Sequence, residues 1–368
     1  MKNLFIAATG QHVGKTTSTL GILSQLIELG HNTGYCKPVG QQFVSVDGHI
    51  ADKDAVLFSK VIGFEIKPQL HSPVILGKGA TSAYLEAPEK FNFRHDILEA
   101  ANQLNAESDL IVFEGTGHAG VGSVVHLSNA DVAKMLDAGV VIVVEGGIGN
   151  TIDRLSLNLS IFQDQAVPIV GVIVNKVIPE KIDRVTYFIK KKLHELKIPL
   201  LGVIPYDQTL SFPIMASIRR AIMGKVIVNE HKMGNPVAEI IAGSLVDPEE
   251  FGAFENVLLV VSDNRLNEVI EKIIAITEDQ QLARSPLSGV IVTGDGRHDT
   301  NYTKEDLTKP YLVENEIPIV TTSLDTYGSV VKISRMEVKI NARTPWKINR
   351  AVNLIKQHVD FDLLLSQL

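Results

Sequence analysis

Leu4-Phe5-Ile6-Ala7-Ala8, then Thr9-Gly10-Gln11-His12-Val13, then Gly14-Lys15-Thr16-Thr17 is the stretch whose reading decides the fold. The first five residues form an uninterrupted apolar run, the composition of a strand buried on both faces. From Lys15 the period changes. Leu20, Ile22, Leu23, Leu26 and Ile27 fall at three-and-four spacing, the mark of a helix, and Gly30 closes it as a C-cap. Strand, glycine-bearing loop and helix, in that order, aim backbone N–H groups and the positive end of a helix dipole at one point, where a phosphate can sit. In such a loop the lysine reaches the β- and γ-phosphates and the hydroxyl after it binds Mg²⁺. Lys15 and Thr16 are the candidates for those roles. Gln11, His12, Val13, Gly14 and Thr17 complete a candidate nucleotide cradle, and the stretch reads as a phosphate-binding loop (P-loop). The plain alternative is a glycine turn before a helix that begins with Lys; the strand before and the helix after weigh against it.

Outward from this loop, apolar runs recur at residues 110–113, 140–144, 169–174 and 200–204, with amphipathic helical stretches at about 152–163 and 182–196. Strands alternating with helices predict an α/β fold: a P-loop NTPase-type parallel sheet with flanking helices, its ligands at the carboxyl ends of the strands. After 205–213 a second series begins, with strands at 225–228, 257–261, 289–292 and 317–320 and helices at 265–276 and 304–315. It predicts a second, smaller α/β domain. Thr344-Pro345 then opens a last helix whose apolar face is Ile348, Ala351, Val352 and Ile355. The expected domains are 1–211, 212–335 and a C-terminal helical segment 336–368.

Composition narrows the function class. The length of 368 residues suits two or three domains at roughly 150 residues each. A formal charge of −7 argues against nucleic acid as a partner, which asks for a basic face. No apolar run approaches the ~20 residues of a membrane span, and the first residues lack the flanks of a signal peptide. The one cysteine, Cys36, excludes a disulfide framework and suits a reducing compartment. A cytoplasmic protein with no membrane contact is the expectation.

Further motifs carry a resemblance. The loop 8–16 is similar to the variant P-loop of dethiobiotin synthetase, roughly Gly-Thr-Asp-Thr-x-Val-Gly-Lys-Thr, with Thr9 where the strict P-loop has Gly. Tyr35-Cys36-Lys37-Pro38-Val39 resembles that family's Tyr-Lys-Pro-Val segment. Asp52 and Asp54 precede Ala55 as in its Asp-Ala segment. Val112-Phe113-Glu114-Gly115-Thr116-Gly117 resembles its Val-Glu-Gly-Ala-Gly turn, and Val174-Asn175 falls where the family reads adenine. The resemblance implies that Lys37 reaches the substrate and the transferring phosphate, that Asp54 and Glu114 hold Mg²⁺, and that Asn175 contacts the base. The chemistry is coherent: Glu114 ends an apolar strand, Mg²⁺ takes one or two carboxylates beside phosphate oxygens, and Lys15, Lys37 and the metal would together neutralise a transferring phosphoryl group. Taken singly, Lys37 could be a solvated strand-end lysine, Asp54 a helix cap and Glu114 a surface turn. Asn175-Lys176-Val177-Ile178 begins like the guanine motif Asn-Lys-x-Asp but carries Ile178 in place of the Asp, so ATP is expected rather than GTP.

The chain also departs from that family. Gly40-Gln41-Gln42 stands where the synthetase holds its diamino acid with small hydroxyl residues, and a whole second domain follows. Cobyrinate diamide synthase pairs such a domain with a glutaminase, but the glutaminase needs a cysteine in the second half, and Cys36 is the only one. The whole length resembles instead the N-terminal region of bacterial phosphotransacetylases, a dethiobiotin-synthetase-like domain followed by a DRTGG domain. The segments that carry this are Gly224-Lys225-Val226, Ala242-Gly243-Ser244, Val261-Ser262-Asp263-Asn264-Arg265, Val292-Thr293-Gly294-Asp295-Gly296 and Leu324-Asp325-Thr326-Tyr327. This resemblance implies an ATP- and Mg²⁺-binding regulatory or sensor protein, with a small-molecule effector at the DRTGG-like domain and a homodimeric assembly. The acyltransferase domain of those enzymes is not expected in this chain, nor is acetyl transfer. The alternative is an ATP-dependent ligase in which a carboxylate or carbamate attacks the γ-phosphate and an amine displaces phosphate. A nucleotide-free dimeric scaffold is a third reading. His118 reads as a loop histidine, residues 146–150 as a lining of the same cleft, and Lys190, Lys191 and Lys192 as a solvated face; His194 and Glu195 make no metal pattern.

Overall fold

A computed structural model describes residues 3–247, 255–294, 307, 309–336, 338 and 340–368. The chain divides into two compact units, Met1–Asp207 with Ile340–Leu368, and Gln208–Lys339.

The first unit is built on six strands: β1 (Asn3–Ala8), β2 (Thr33–Cys36), β3 (Leu110–Glu114), β4 (Gly139–Glu145), β5 (Ile169–Val177) and β6 (Leu200–Pro205). They hydrogen-bond in the order β6-β5-β4-β1-β3-β2, all parallel. The strands are apolar almost without break because helices cover both faces; Leu4 to Ala7, Ile111 to Phe113 and Val140 to Val144 are all at most 1% exposed. The helices are α1 (Lys15–Glu28), α2 (Lys53–Phe58), α3 (Phe93–Glu107), α4 (Asn129–Met135), α5 (Gly149–Asp164) and α6 (Ile182–Glu195). Gly30, at φ 92°, ends α1 as expected, and the His31 N–H returns to the Leu26 carbonyl.

The segment set apart from sequence as 336–368 does not stand by itself. Its helix, Pro345–His358, lies in the first unit and covers the outer side of α1. The cause is on α1. Gly21 leaves room for Ile355, whose Cβ would lie 2.4 Å from a Cβ added at Gly21. Helix α1 is therefore buried on two sides, where its periodicity predicted one. Thr344 occupies the cap position, but its hydroxyl donates to the Asn341 carbonyl at 2.8 Å and not to the helix. Ion pairs of Lys356 with Glu28 and of Arg350 with Asp207 fasten the same helix.

The second unit has a five-stranded sheet, from β7 (Lys225–Val228), β8 (Glu239–Ala242), β9 (Val257–Ser262), β10 (Leu287–Thr293) and β11 (Ile319–Thr322). The order is β7-β11-β10-β9-β8, with β7 antiparallel at one edge. Alternate residues serve its two faces. Leu258, Val260, Ile291 and Val320 meet Met215, Ile218 and Ile333 on one side. On the other, Leu259, Val261, Val290 and Val292 meet Val269, Ile270 and Ile273. The strand expected at 317–320 begins later because Pro318 has no N–H to give the ladder; its carbonyl accepts the Val290 N–H instead. Edge strand β8 was not expected, since Glu239-Ile-Ile-Ala is short and lacks alternation. Of the helix expected at 304–315, Pro310–Glu314 is helical and residues 304–306 and 308 lie outside the described residues, as do Asp295-Gly296 of the glycine turn.

Candidate functional site

Strand β1 lies at the middle of its sheet, with β3 on one side and β4 on the other, so the chain reverses direction across the sheet at β1. Open α/β sheets bind ligands in the crevice at such a point, beyond the carboxyl ends of the strands. The P-loop leaves β1 there. Gly14 has φ 96°, and a Cβ on it would lie 2.0 Å from Asn175 Nδ2, so the position needs glycine twice over. His12 also takes a left-handed φ of 61°, and the Gln11 and His12 side chains face solvent while Val13 is buried. Thr17 is half-buried in the first turn of α1.

Ile6 of β1 pairs with Glu114 at the end of β3, which sets Glu114 beside the start of α1. Its carboxylate is fully buried and accepts three donors: Lys15 Nζ and Thr16 Oγ1, each 2.8 Å from Oε1, and the Tyr35 hydroxyl, 2.9 Å from Oε2. Glu114 is thus no surface turn. Burial, and then the charge of Glu114, hold the Tyr35 phenol protonated well above the usual tyrosine range.

Lys37, just past the end of β2, is no solvated strand-end lysine either, being 6% exposed. Its ammonium is ion-paired with Asp54 and lies 3.2 Å from Asp52 Oδ1. Burial alone would lower its affinity for the proton. Glu114, Asp54 and Asp52 outweigh burial and hold it charged above the usual lysine range. The cap of α2 is Asp52, whose Oδ1 accepts the Asp54 N–H at 2.8 Å; Asp54 itself sits in the first turn. Burial raises the Asp52 carboxyl. Cys36 is buried, and burial pushes its thiol up and out of reactive range.

Asn175, at the carboxyl end of β5, donates through Nδ2 to the Val13 carbonyl at 2.8 Å. Its neighbour Lys176 donates to the His12 carbonyl and lies 3.7 Å from Glu145, which also faces Arg154 at 3.6 Å. Two consecutive side chains of β5 therefore hold the P-loop backbone from one side. From the other, Asn158 of α5 donates to the Thr9 carbonyl at 3.4 Å.

Several of these residues had no role in the sequence reading. Tyr35 was quoted only as part of a motif. Asn129 was passed over, although its carboxamide accepts the Thr116 N–H at 3.0 Å and donates to the carbonyls of Thr116 and His118, which fixes the turn after Glu114. The available signal was Ser128-Asn129-Ala130-Asp131: Ser128 and Asp131 cap α4 reciprocally, and the cap places Asn129 against the turn. His118 is exposed, as expected.

The donor set suits a divalent cation with phosphates. The Thr16 hydroxyl, Glu114 and Asp54 are hard oxygen donors at one strand-end cluster, the chemistry Mg²⁺ takes. Three carboxylates, Asp52, Asp54 and Glu114, face two ammonium groups, Lys15 and Lys37. The cluster carries one excess negative charge, which a divalent ion would reverse into a site for an anion. The Asp52 Oδ2 oxygen is buried without a hydrogen-bond partner. Among the described residues no helix is long and apolar enough to cross a membrane.

Comparison with known proteins gives the chain a family and several relatives. A family model described as AAA domain (AAA_26) matches residues 2–213. A phosphate acetyltransferase of Nitrosomonas europaea is 24% identical over 383 residues, which are 100% of this chain and 52% of the relative. The chain thus spans about half the length of the curated phosphate acetyltransferases it matches. An ATP-dependent dethiobiotin synthetase of Salmonella typhimurium is 23% identical over 236 residues, 63% of this chain and 99% of the relative. Among solved structures, the MinC:MinD cell division protein complex of Aquifex aeolicus aligns at a TM-score of 0.37 and 17% identity, covering 57% of this chain and 83% of that one.

Proposed function

The chain belongs to the AAA_26 family of AAA domains, and from that premise we propose that its first unit binds ATP with Mg²⁺ as the sensing element of a regulatory protein. The observation that carries the reading is the buried junction of Lys15, Thr16 and Glu114 at the foot of the P-loop. In the nucleotide-bound state Lys15 turns from Glu114 to the β- and γ-phosphates, and Thr16, Glu114 and Asp54 hold Mg²⁺. The metal supplies charge neutralisation at the phosphates. Lys37 faces the terminal phosphate, and Asn175 stands at the base side of the loop. The second unit, DRTGG-like by resemblance, answers a small-molecule effector, and the protein acts as a homodimer.

Calorimetry with Mg²⁺ and ATP tests this. The native protein should bind, and Lys15→Ala should weaken binding about a hundredfold or more, the loss of a charged hydrogen bond to phosphate in a site shielded from water. No heat with the native protein, or an unchanged affinity in the variant, would end the proposal.

One observation favours a second reading, an ATP-dependent carboxylate- or carbamate-activating ligase: Lys37 is kept charged and nearly water-free beside the loop. A binding-only sensor has less need of it than a phosphoryl-transfer site does. Release of ADP triggered by a metabolite carboxylate or amine would favour the ligase.

A further inference from the structure

We propose that Asp52 is a positioning residue for Lys37: it keeps the ammonium in place when Asp54 leaves it for a metal. The proposal rests on the reading of Lys37 as the phosphate-facing cation. The two carboxylates around Lys37 are not equivalent. Asp54 has a side chain 29% exposed and stands toward the open end of the cluster. Asp52 is 1% exposed and fixed from several directions: its Oδ1 caps α2, its backbone N–H donates to Ser72 at 3.1 Å, and it pairs with Phe43 at the end of a hairpin formed by Phe43–Val46 and His49–Asp52. Its Oδ2 has no hydrogen-bond partner and lies against Gly40, where a Cβ would come within 2.5 Å of it. A buried carboxylate is costly unless a charge stands nearby, and Lys37, 3.2 Å from the other oxygen, Oδ1, is that charge.

One residue thereby links both sides of the exchange. Asp52 caps the helix that carries Asp54 and holds the lysine that Asp54 also holds. When Mg²⁺ draws Asp54 away, Lys37 loses one of two partners and stays anchored by the other, its ammonium aimed at the crevice. Without Asp52, the same event would leave the ammonium with neither of the two carboxylates it pairs with in the free protein, and the lysine would turn away or leave.

The test uses the whole chain in two arms. In the first, the free protein carries ¹⁵N-lysine, and the slowly exchanging ammonium resonance of Lys37 is assigned as the one lost in Lys37→Arg. Asp54→Asn, which removes that partner as a metal would, should keep the resonance, and Asp54→Asn combined with Asp52→Asn should lose it. In the second arm, calorimetry compares Mg²⁺-ATP with Mg²⁺-ADP. Asp52→Asn should weaken ATP binding about tenfold and leave ADP binding nearly unchanged, because only the terminal phosphate feels Lys37. Asp52→Glu should recover part of that ratio. Asparagine caps helices about as well as aspartate, so the thermal midpoint of Asp52→Asn should stay near the native value; a residue that merely held the fold would move the midpoint and not the ATP-to-ADP ratio. The proposal is overturned if the double variant keeps the Lys37 resonance or if Asp52→Asn keeps the native ATP-to-ADP ratio. A native protein that binds no ATP would overturn the nucleotide reading, and the resonance arm would then decide the hold of Asp52 on Lys37 by itself.

Discussion

The two units share a plan and differ at their strand ends. Both are mostly parallel sheets with helices on each face. In the first, β1 lies between β3 and β4, so the chain reverses direction across the sheet and opens a crevice. At that crevice Lys37, Asp52 and Glu114 are buried together. In the second, β8, β9, β10 and β11 follow each other in order across the sheet, so neighbouring parallel strands are joined in one direction only. Their carboxyl ends carry hydroxyls that bond within the unit: Thr293 with Thr326 at 3.0 Å, and Thr322 to the Ile222 carbonyl at 2.9 Å. Burying charge is costly in any fold. A sheet whose strand ends bury opposed charges is the candidate for a charged ligand; the hydroxyls at the described strand ends of the second unit are already paired within it.

The sharpest way to break that contrast is Gly14→Ala. The new Cβ meets Asn175 Nδ2 at 2.0 Å, and φ 96° is strained for alanine. Pushing Asn175 off the Val13 carbonyl disorders the loop that cradles the phosphates, so Mg²⁺-ATP affinity should fall about a hundredfold, while amide exchange in β9 and β10 stays native. Binding within threefold of native would mean that the loop is not the site.

Much of the first unit was legible because period and chemistry coincide there. The apolar run before the loop, the helix after it and the carboxylate ending residues 110–114 each name their own place in a parallel sheet. What stayed hidden was contact between distant segments. Nothing in α1 shows that Gly21 is a seat for Ile355, and nothing near Tyr35 shows that its hydroxyl ends on Glu114, because both depend on packing across many residues of chain. Asn175 shows the limit from the other side: the motif placed it at the right strand end, but only the fold shows its amide directed at the P-loop carbonyl. The C-terminal helix was legible as a helix and not as part of the first unit, since an amphipathic face does not say what covers it.

Lys347 tests the contrast from inside the first unit, because it is a buried charge away from the strand ends. It is 1% exposed, and burial pulls its ammonium down to about 8 from 10.5. The folded value lies below the unfolded one, so the unfolded chain binds the extra proton between them and stability climbs as pH rises from about 8 to 10.5. Below about 8 both states are charged, and the penalty of holding that charge in the fold is at its largest. Lys347→Met should abolish the climb and raise the thermal midpoint most at neutral pH, read by calorimetric melts across the range. Mg²⁺-ATP affinity should not change. A native melt flat across that range would mean that Lys347 titrates alike in both states, and that its burial costs the fold nothing.

The smallest effect expected is in the second unit. A Cβ at Gly289 would lie 2.3 Å from Met215 Cε and 2.5 Å from its Sδ. The obstruction is the far end of an unbranched, flexible side chain that can shift, so Gly289→Ala should cost no more than about 1 kcal/mol in denaturant unfolding. The obstruction at Gly21 is the branched Cβ of Ile355, fixed to a helix backbone, and Gly21→Ala should cost about 1–3 kcal/mol. Equal costs at the two positions would mean that the C-terminal helix yields as readily as Met215 does, and that α1 is not held on its outer side. The pair also separates the regulatory reading from a plain nucleotide site. If the second unit only accompanies the first, Gly289→Ala leaves Mg²⁺-ATP affinity where it was. If it passes its own conformational state to the P-loop, a repacked Met215 under β10 shifts that affinity even though it touches nothing in the cradle, and the size of the shift measures the coupling between them.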